Sequence, residues 1–261
     1  MEWLHDIPML QSLKKIYDQL DAWDSKLRRA FGKDIETTSG RFWARVHYHL
    51  FDHAFLRVFW TNYAEIAPGV FRSNQPTEAR FKRYHARGLK SVVNLRGADV
   101  YAHYKYEERI CHQLGIGLTN WKLTARNAPQ VEDINEVIDI LGRVQKPVLF
   151  HCKSGADRAG LASAIYLMEF EGKTVQEAQK QLNVRFVHLD FTATGVLDYM
   201  LWVFEERSKI SVIGFKEWMN TEYDPLIIQS CFDQRLPLQK ALDLLAAGDQ
   251  PEISENQKIS E

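Results

Sequence analysis

Hydrophobic and polar positions follow a helical period in the first part of the chain. Residues 8–30 place apolar side chains at helical spacing among charged ones, which predicts an amphipathic helix. Residues 41–63 are rich in aromatic side chains but also carry several ionisable groups, which are costly inside a bilayer. We therefore expect a helix that either packs on the rest of the protein or lies on a membrane surface, and residues 1–63 are interpreted as a helical N-terminal extension.

From residue 64 the pattern changes to short β-branched runs alternating with helical segments. Strands are predicted at 91–95, 118–123 and 147–150, and helices at 78–87, 104–113, 129–144, 161–170, 174–182 and 193–208. Such alternation predicts an α/β fold with a mainly parallel central sheet flanked by helices. The main domain is placed at 64–208, a C-terminal helical segment at 209–247, and a polar, disordered tail at 248–261.

The overall charge of the chain does not indicate a nucleic-acid partner. Lys and Arg total 33 and Asp and Glu total 34, so an anionic substrate must be attracted by a local patch. The N-terminus has no basic start followed by an apolar run, which favours a cytoplasmic protein. Contact with the inner membrane face through residues 41–63 is the open alternative.

The three cysteines are too far apart in sequence to suggest a disulfide framework or a metal site. They are Cys111, Cys152 and Cys231. This spacing suits a reducing compartment, and we expect no metal and no other cofactor. Cys111 falls in a helical pattern and is predicted to be a core residue, whereas Cys231 has no role that the sequence reveals.

The segment 151–158 joins a predicted strand directly to a predicted helix. An anion should bind there, because ligands collect at the carboxyl ends of parallel strands and a helix N-terminus offers free N–H groups. Five residues separate Cys152 from Arg158, enough for the backbone to wrap around a phosphate, and Gly155 permits the turn. The helix end and Arg158 both favour the thiolate of Cys152, and a guanidinium can hold two phosphate oxygens.

The sequence HCKSGADR is similar to the HCxxGxxR signature of the cysteine-dependent protein tyrosine and dual-specificity phosphatases. It looks most like the compact bacterial and the lipid- or inositide-directed branches. The stretch FRSNQPT and residues 88–96 resemble the opening strands of that group, so the resemblance covers about 64–208. It implies that Cys152 forms a cysteinyl-phosphate, that Arg158 clamps the phosphate and that His151 orients the loop. It also implies a phosphate cradle formed by Lys153, Ser154, Gly155, Ala156, Asp157 and Arg158.

The proton donor of this group is missing from its usual place. Most relatives carry an Asp on a separate loop about 30 residues before the cysteine, to protonate the leaving oxygen. No Asp or Glu lies between Cys111 and Val131. Asp157 is the first candidate, because some branches without the loop acid carry Asp there and nearby phosphate favours a protonated carboxyl. The alternative for Asp157 is a structural role, in which it caps the helix or pairs with a nearby base. Asp133 is a second candidate for the proton donor, although its position is more typical of a first-turn helix charge.

The substrate class remains open at the level of the sequence. Lys122 and Arg126 lie on a loop expected to close over the site, where they suit a substrate with more than one phosphate, or else they are solvated surface charges. The candidates are a phosphotyrosine protein and a phospholipid or inositol phosphate. The alternative is a weak or inactive phosphate-binding module, since Ala159 stands where many relatives have Ser or Thr. Arsenate reductase or sulfurtransferase chemistry fits Arg158 less well.

Overall fold

The computed structural model describes residues 35, 37–46 and 60–248. The predictions for a helix at 8–30, for most of 41–63 and for the tail from 249 onward lie outside the described residues. Of the described part, residues 35, 37–46 and 99–108 belong to one compact unit, and residues 60–98 and 109–248 belong to another.

The smaller unit contains helix α1 (Thr38–Val46) and the first turns of α3 (Ala102–Leu114). Ile35 and Ala102 are buried together in a small apolar cluster. Phe42 and Trp43 are exposed, and their rings meet edge to face with centroids 5.5 Å apart. Within the described ranges, no helix is both long and apolar enough to cross a membrane.

A five-stranded sheet forms the centre of the larger unit. The strands are β1 (Ala64–Ala67), β2 (Val70–Asn74), β3 (Ser91–Asn94), β4 (Gly117–Asn120) and β5 (Val148–Cys152). Their order is β1-β2-β5-β3-β4; β1 and β2 are antiparallel and every other neighbouring pair is parallel. The predicted α/β fold with a mainly parallel sheet is confirmed, and β5, which leads into the phosphatase signature, lies at its centre.

The helices lie close to the predicted positions. The remaining ones are α2 (Glu78–Ala86), α4 (Val131–Arg143), α5 (Asp157–Glu171), α6 (Val175–Gln179), α7 (Val196–Ile210), α8 (Phe215–Thr221), α9 (Pro225–Asp233) and α10 (Leu238–Ala247). Helix α9 lies inside the predicted C-terminal helical segment at 209–247, although its own bounds were not predicted. Its signals are Asp224, whose side chain caps the helix, and Pro225 in the first turn.

The two faces of the sheet are covered by separate apolar clusters. Phe150 of β5 joins the larger cluster, with α4, α5 and α7, whereas its neighbour Leu149 joins the smaller one, with α2 and the end of α3. Cys111 lies in the smaller cluster, which confirms its predicted core position. The C-terminal helices contribute several residues to the larger cluster, among them Phe215, Trp218, Ile228, Cys231 and Leu242.

Candidate active site

Cys152 is the last residue of β5, and α5 begins at Asp157. The strand ends two residues later and the helix begins four residues earlier than predicted, so residues 153–156 alone make the turn. The Cys152 side chain is buried, and its sulfur accepts a hydrogen bond of 3.2 Å from the backbone N–H of Gly155. At least one loop N–H therefore points at the sulfur, as an anion-binding loop requires.

Gly155 is required by both the conformation and the packing of this loop. Its φ is +73°, a region that L side chains rarely adopt. A Cβ at this position would stand 2.5 Å from the backbone nitrogen of Asn74 and 2.6 Å from the carbonyl carbon of Ser73. The loop thus lies directly against the end of β2.

Arg72 of β2 supports the loop from behind. The side chain is fully buried, and its Nη2 donates to the carbonyl oxygens of Gly155 (2.6 Å) and Ala156 (3.1 Å). Nη1 donates to the Gln181 carbonyl at 2.6 Å, and the guanidinium lies 3.9 Å above the Phe186 ring. Burial lowers the pKa of Arg72 to about 10, although negative charge on Cys152 and on Asp157 acts in the opposite direction. It is still charged at neutral pH.

The FRSNQPT stretch carries a buried polar network that links β2 to its surroundings. Arg80 donates to the Asn74 side chain at 2.7 Å and to the Gln75 carbonyl at 2.8 Å. Gln75 in turn accepts from Arg96 at 2.8 Å through its side chain and donates its N–H to the Lys153 carbonyl at 3.3 Å. The stretch that resembles a family motif therefore contacts residues 153–156, the predicted phosphate loop.

Arg158 lies in the first turn of α5 and is half-buried. Among the described residues it makes one hydrogen bond, a long one of 3.4 Å from Nη1 to the Leu95 carbonyl. The rest of its donor fork is available to an anion. Leu95 also accepts from the Leu123 N–H at 3.2 Å, which brings the 121–123 segment beside Arg158.

Lys122 is on that segment and is exposed, opposite Arg96 in an isolated antiparallel bridge. Arg126 is exposed and makes no hydrogen bond or ion pair with a described residue. Two contacts from the C-terminal helical region hold the loop that carries both cations. Gln229 accepts from the Ala128 N–H at 2.8 Å, and the Tyr223 hydroxyl donates to the Pro129 carbonyl at 2.8 Å.

The other predicted residues of the loop have distinct surroundings. His151 is fully buried, with Nδ1 3.5 Å from the Cys152 carbonyl. Ser154 is exposed; its hydroxyl accepts from the Ala156 N–H at 3.3 Å, and its carbonyl accepts from the Asn62 amide at 2.9 Å. The Ser154 side chain is thus bonded to backbone.

Asp157 is paired with a histidine that the sequence analysis did not single out. Oδ1 of Asp157 lies 2.7 Å from Nδ1 of His188, and Nε2 of His188 lies 2.5 Å from Oδ2 of Asp198. Burial alone would lower the pKa of His188, but the hydrogen bonds that its ring donates to the two carboxylates raise it to about 9. No pattern of residues pointed to His188, because it follows a 3₁₀ turn outside any periodic segment.

Asp133, the second candidate proton donor, lies in the first turn of α4. Burial raises its pKa, and the neighbouring Glu132 raises it further. The role of proton donor stays a prediction for Asp157 and for Asp133.

Comparison with known proteins gives the family. The model for "DSP-PTPase phosphatase fused to NAD+ Kinase" matches residues 60–193, slightly more than half of the chain. The chain belongs to this family of dual-specificity and tyrosine phosphatases. The family consists of cysteine-dependent phosphoric monoester hydrolases, in agreement with the resemblance seen in the signature.

Individual relatives cover parts of the chain. The inositol diphosphatase DSP2 of Oryza sativa subsp. japonica is 32% identical over 105 residues, which are 38% of this chain and 50% of the relative. The chain thus spans about half the length of that curated relative. Tk-PTP in its active form is 25% identical, with a TM-score of 0.45 over 57% of this chain and 99% of its own. The core catalytic domain of the PP-IP phosphatase SIW14 from S. cerevisiae is 18% identical, with a TM-score of 0.45 over 57% of this chain and 90% of its own.

Proposed function

We propose that this chain hydrolyses phosphate monoesters through a cysteinyl-phosphate. The Cys152 thiolate attacks phosphorus, an S–P bond forms as the bond to the leaving oxygen breaks, and that oxygen takes a proton. Water then attacks the phosphorus and gives a proton to the carboxylate that the first step left behind, while the S–P bond breaks and the thiolate leaves. The observation that carries this proposal is the Gly155 N–H directed at the Cys152 sulfur, in a loop that Arg158 closes with most of its donors available.

The other residues of the loop have supporting roles in this mechanism. Arg158 and the N–H groups of residues 153–157 hold the three equatorial oxygens, whose charge spreads in the transition state. His151, buried beneath the loop, fixes its orientation. Asp157 donates the proton, with Asp133 as the alternative donor.

Replacement of the nucleophile tests the proposal. Cys152→Ser should abolish hydrolysis of p-nitrophenyl phosphate, and rapid acid quench of the wild-type enzyme with labelled substrate should trap one phosphoryl group on Cys152. Cys231→Ser, at a buried cysteine far along the chain, is the control and should retain activity. If wild type and Cys152→Ser share the same background rate, the chain is a phosphate-binding module.

We propose an inositol phosphate with several phosphate groups as the favoured substrate, with a phosphotyrosine protein as the competitor. Lys122 and Arg96 are paired in a backbone bridge, and Leu95, the neighbour of Arg96, accepts from Arg158, so Lys122 is placed to bind a second phosphate close to the first. The name of the rice relative, an inositol diphosphatase, is in line with this choice.

A panel of inositol polyphosphates, phosphoinositides and phosphotyrosine peptides tests that choice. Lys122→Ala should raise KM for the polyphosphates about tenfold, as expected for the loss of one charged hydrogen bond of about 1.5 kcal/mol, and should leave p-nitrophenyl phosphate unaffected. Lys173→Ala, at an exposed lysine after α5, is the control. Preference for phosphotyrosine peptides, with no effect of Lys122→Ala, would reject the inositol phosphate.

We also propose that residues 41–63 contact the inner face of the membrane from the cytoplasm. The exposed rings of Phe42 and Trp43 support this within the described part of that segment. The whole chain should then sediment with anionic vesicles, and the double variant Phe42→Ala/Trp43→Ala should sediment less. Equal recovery of both proteins in the supernatant would reject membrane contact.

A further inference from the structure

Three titratable side chains from separate elements form a continuous hydrogen-bonded row at the phosphate loop. Asp157 begins α5, His188 lies in the loop before α7, and Asp198 lies in the first turn of α7. The side chains of His188 and Asp198 are 1% and 4% exposed, whereas that of Asp157 is 24% exposed. The row therefore runs from the protein interior to the residue next to Arg158.

The hydrogen bonds of this row define the state of the ring. A carboxylate only accepts hydrogen bonds, and a neutral imidazole carries one N–H, so satisfying both contacts requires the doubly protonated ring. The pKa of about 9 for His188 agrees with this geometry. Because both nitrogens are occupied, the ring has no lone pair for a metal. Oδ1 of Asp157 is engaged, while its Oδ2 makes no hydrogen bond with a described residue.

Other charged groups also face the row. Arg72 of β2 lies close enough to Asp157 for the two charges to interact. Burial is the largest cause of the raised pKa of Asp198, and Asp190, in the loop that carries His188, raises it further. Lys180, at the end of α6, lines the same surface groove as His188. Two cations, Arg72 and Lys180, therefore lie near the row in addition to the His188 ring, and Arg72 interacts with the charge of Asp157.

The loop that carries His188 is tied to the phosphate loop. The Asn62 amide donates to the carbonyl of Phe186 at 2.7 Å and to that of Ser154 at 2.9 Å. Val187 has φ +60°, an uncommon conformation for a β-branched residue that persists only where the surroundings fix it. These contacts set the distance between His188 and Asp157.

We propose that His188 is a positioning residue for the phosphatase reaction: anchored by Asp198, it binds Oδ1 of Asp157 and leaves Oδ2 to protonate the leaving oxygen. Asp157 carries this proton on Oδ2 when the negative charge of the bound phosphate lies beside it, and its Oδ1 still accepts from His188. In that step the Oδ2–H bond of Asp157 breaks, the proton passes to the leaving oxygen, and the electron pair stays on the carboxylate. His188 keeps both its protons and stabilises the new negative charge. The inference rests on the proposed function and specifies its proton donor.

Two amide replacements separate the two hydrogen bonds of His188. In His188→Gln the amide nitrogen reaches the place of Nε2 and keeps the bond to Asp198, whereas in His188→Asn it lies near Nδ1 and keeps the bond to Asp157. His188→Gln should lower kcat for an alkyl phosphate about 100-fold, as expected when general acid catalysis fails, with KM unchanged. The loss for p-nitrophenyl phosphate, whose leaving group needs no proton, should be small. The kcat for the alkyl phosphate should fall less in His188→Asn, and it should not change in His112→Gln, at an exposed histidine.

A double-mutant comparison shows whether His188 acts through Asp157. Asp157→Asn and Asp157→Asn/His188→Gln should have the same kcat for alkyl phosphates, because the second change has nothing left to affect. Additive losses, or equal losses for alkyl and aryl substrates, would overturn the proposal. If His188→Gln does not fold by circular dichroism, Asp198→Asn replaces it with the same leaving-group criterion. Failure of the phosphatase assignment is distinct, since Cys152→Ser would then match wild type.

Discussion

At the scale of single residues, the candidate site depends on shape as well as on charge. Arg158 carries a planar fork of donors, of which Nη1 contacts the Leu95 carbonyl, and Gly155 adopts a conformation and a packing that exclude a Cβ. Each position therefore has one suitable residue type, for different physical reasons, and conservative replacements test them.

Arg158→Lys keeps the positive charge but loses the fork. We expect kcat for p-nitrophenyl phosphate to fall about 100- to 1,000-fold, because a transition-state donor is lost. Arg143→Lys, on the exposed surface of α4, is the matched control and should keep full activity. A kcat within about twofold of wild type would contradict the role of the fork.

Gly155→Ala should reduce both stability and turnover. The positive φ alone costs about 1 kcal/mol, and the overlap with Asn74 adds strain of about 1–3 kcal/mol. Gly172→Ala is a matched control, because Gly172 also has a positive φ, +60°, but nothing lies within 4 Å of an added Cβ. Urea unfolding gives the free energy of unfolding of both variants, and the difference between their losses of stability measures the packing contribution at Gly155. Equal losses of stability would show that the contact with β2 is unimportant.

At the scale of elements, strand β2 is the support of the phosphate loop. Arg72 from this strand binds two loop carbonyls and holds the Gln181 carbonyl, so one buried side chain fixes both the loop and the segment after α6. Two residues of the C-terminal region, Gln229 of α9 and Tyr223 just before it, hold the loop that carries Lys122 and Arg126.

Arg72→Lys should destabilise the protein by about 1–3 kcal/mol, because an ammonium group leaves buried carbonyls unsatisfied. Turnover of p-nitrophenyl phosphate should fall with it, since the loop carbonyls are no longer held in place. Arg83→Lys, on the exposed side of α2, should change neither quantity. Full stability and activity of Arg72→Lys would show that the loop keeps its shape without this support.

At the scale of the whole molecule, His188 links stability to pH. Its pKa in the folded protein, about 9, is above the ordinary value of 6.5. The stabilisation is therefore fully present below pH 6.5 and is lost as pH rises through about 9. The difference in Tm between wild type and His188→Gln should shrink between pH 6.5 and about 9.5. At about half a pH unit above the folded pKa, most of the His188 side chains have lost the extra proton. A difference that does not vary with pH would contradict this linkage, and His112→Gln should follow wild type.

The amino-acid sequence by itself determined the local features of this protein. The spacing of its apolar residues predicted most helices and strands to within a few residues, because each of these elements depends on residues that are neighbours along the chain. The spacing of Cys152 and Arg158 between a strand and a helix likewise predicted an anion-binding loop. The extent of β5 and the early start of α5 were missed, since both depend on the turn that Gly155 makes against β2.

Tertiary structure alone decided what surrounds that loop. Arg72 reaches Gly155 across 83 positions of sequence, and His188 reaches Asp157 across 31, distances at which no pattern of polarity reports a contact. The sequence left Asp157 as either a proton donor or the partner of a base. The fold supplies the partner, the basic side chain of His188, which holds both its protons because its ring lies between the carboxylates of Asp157 and Asp198.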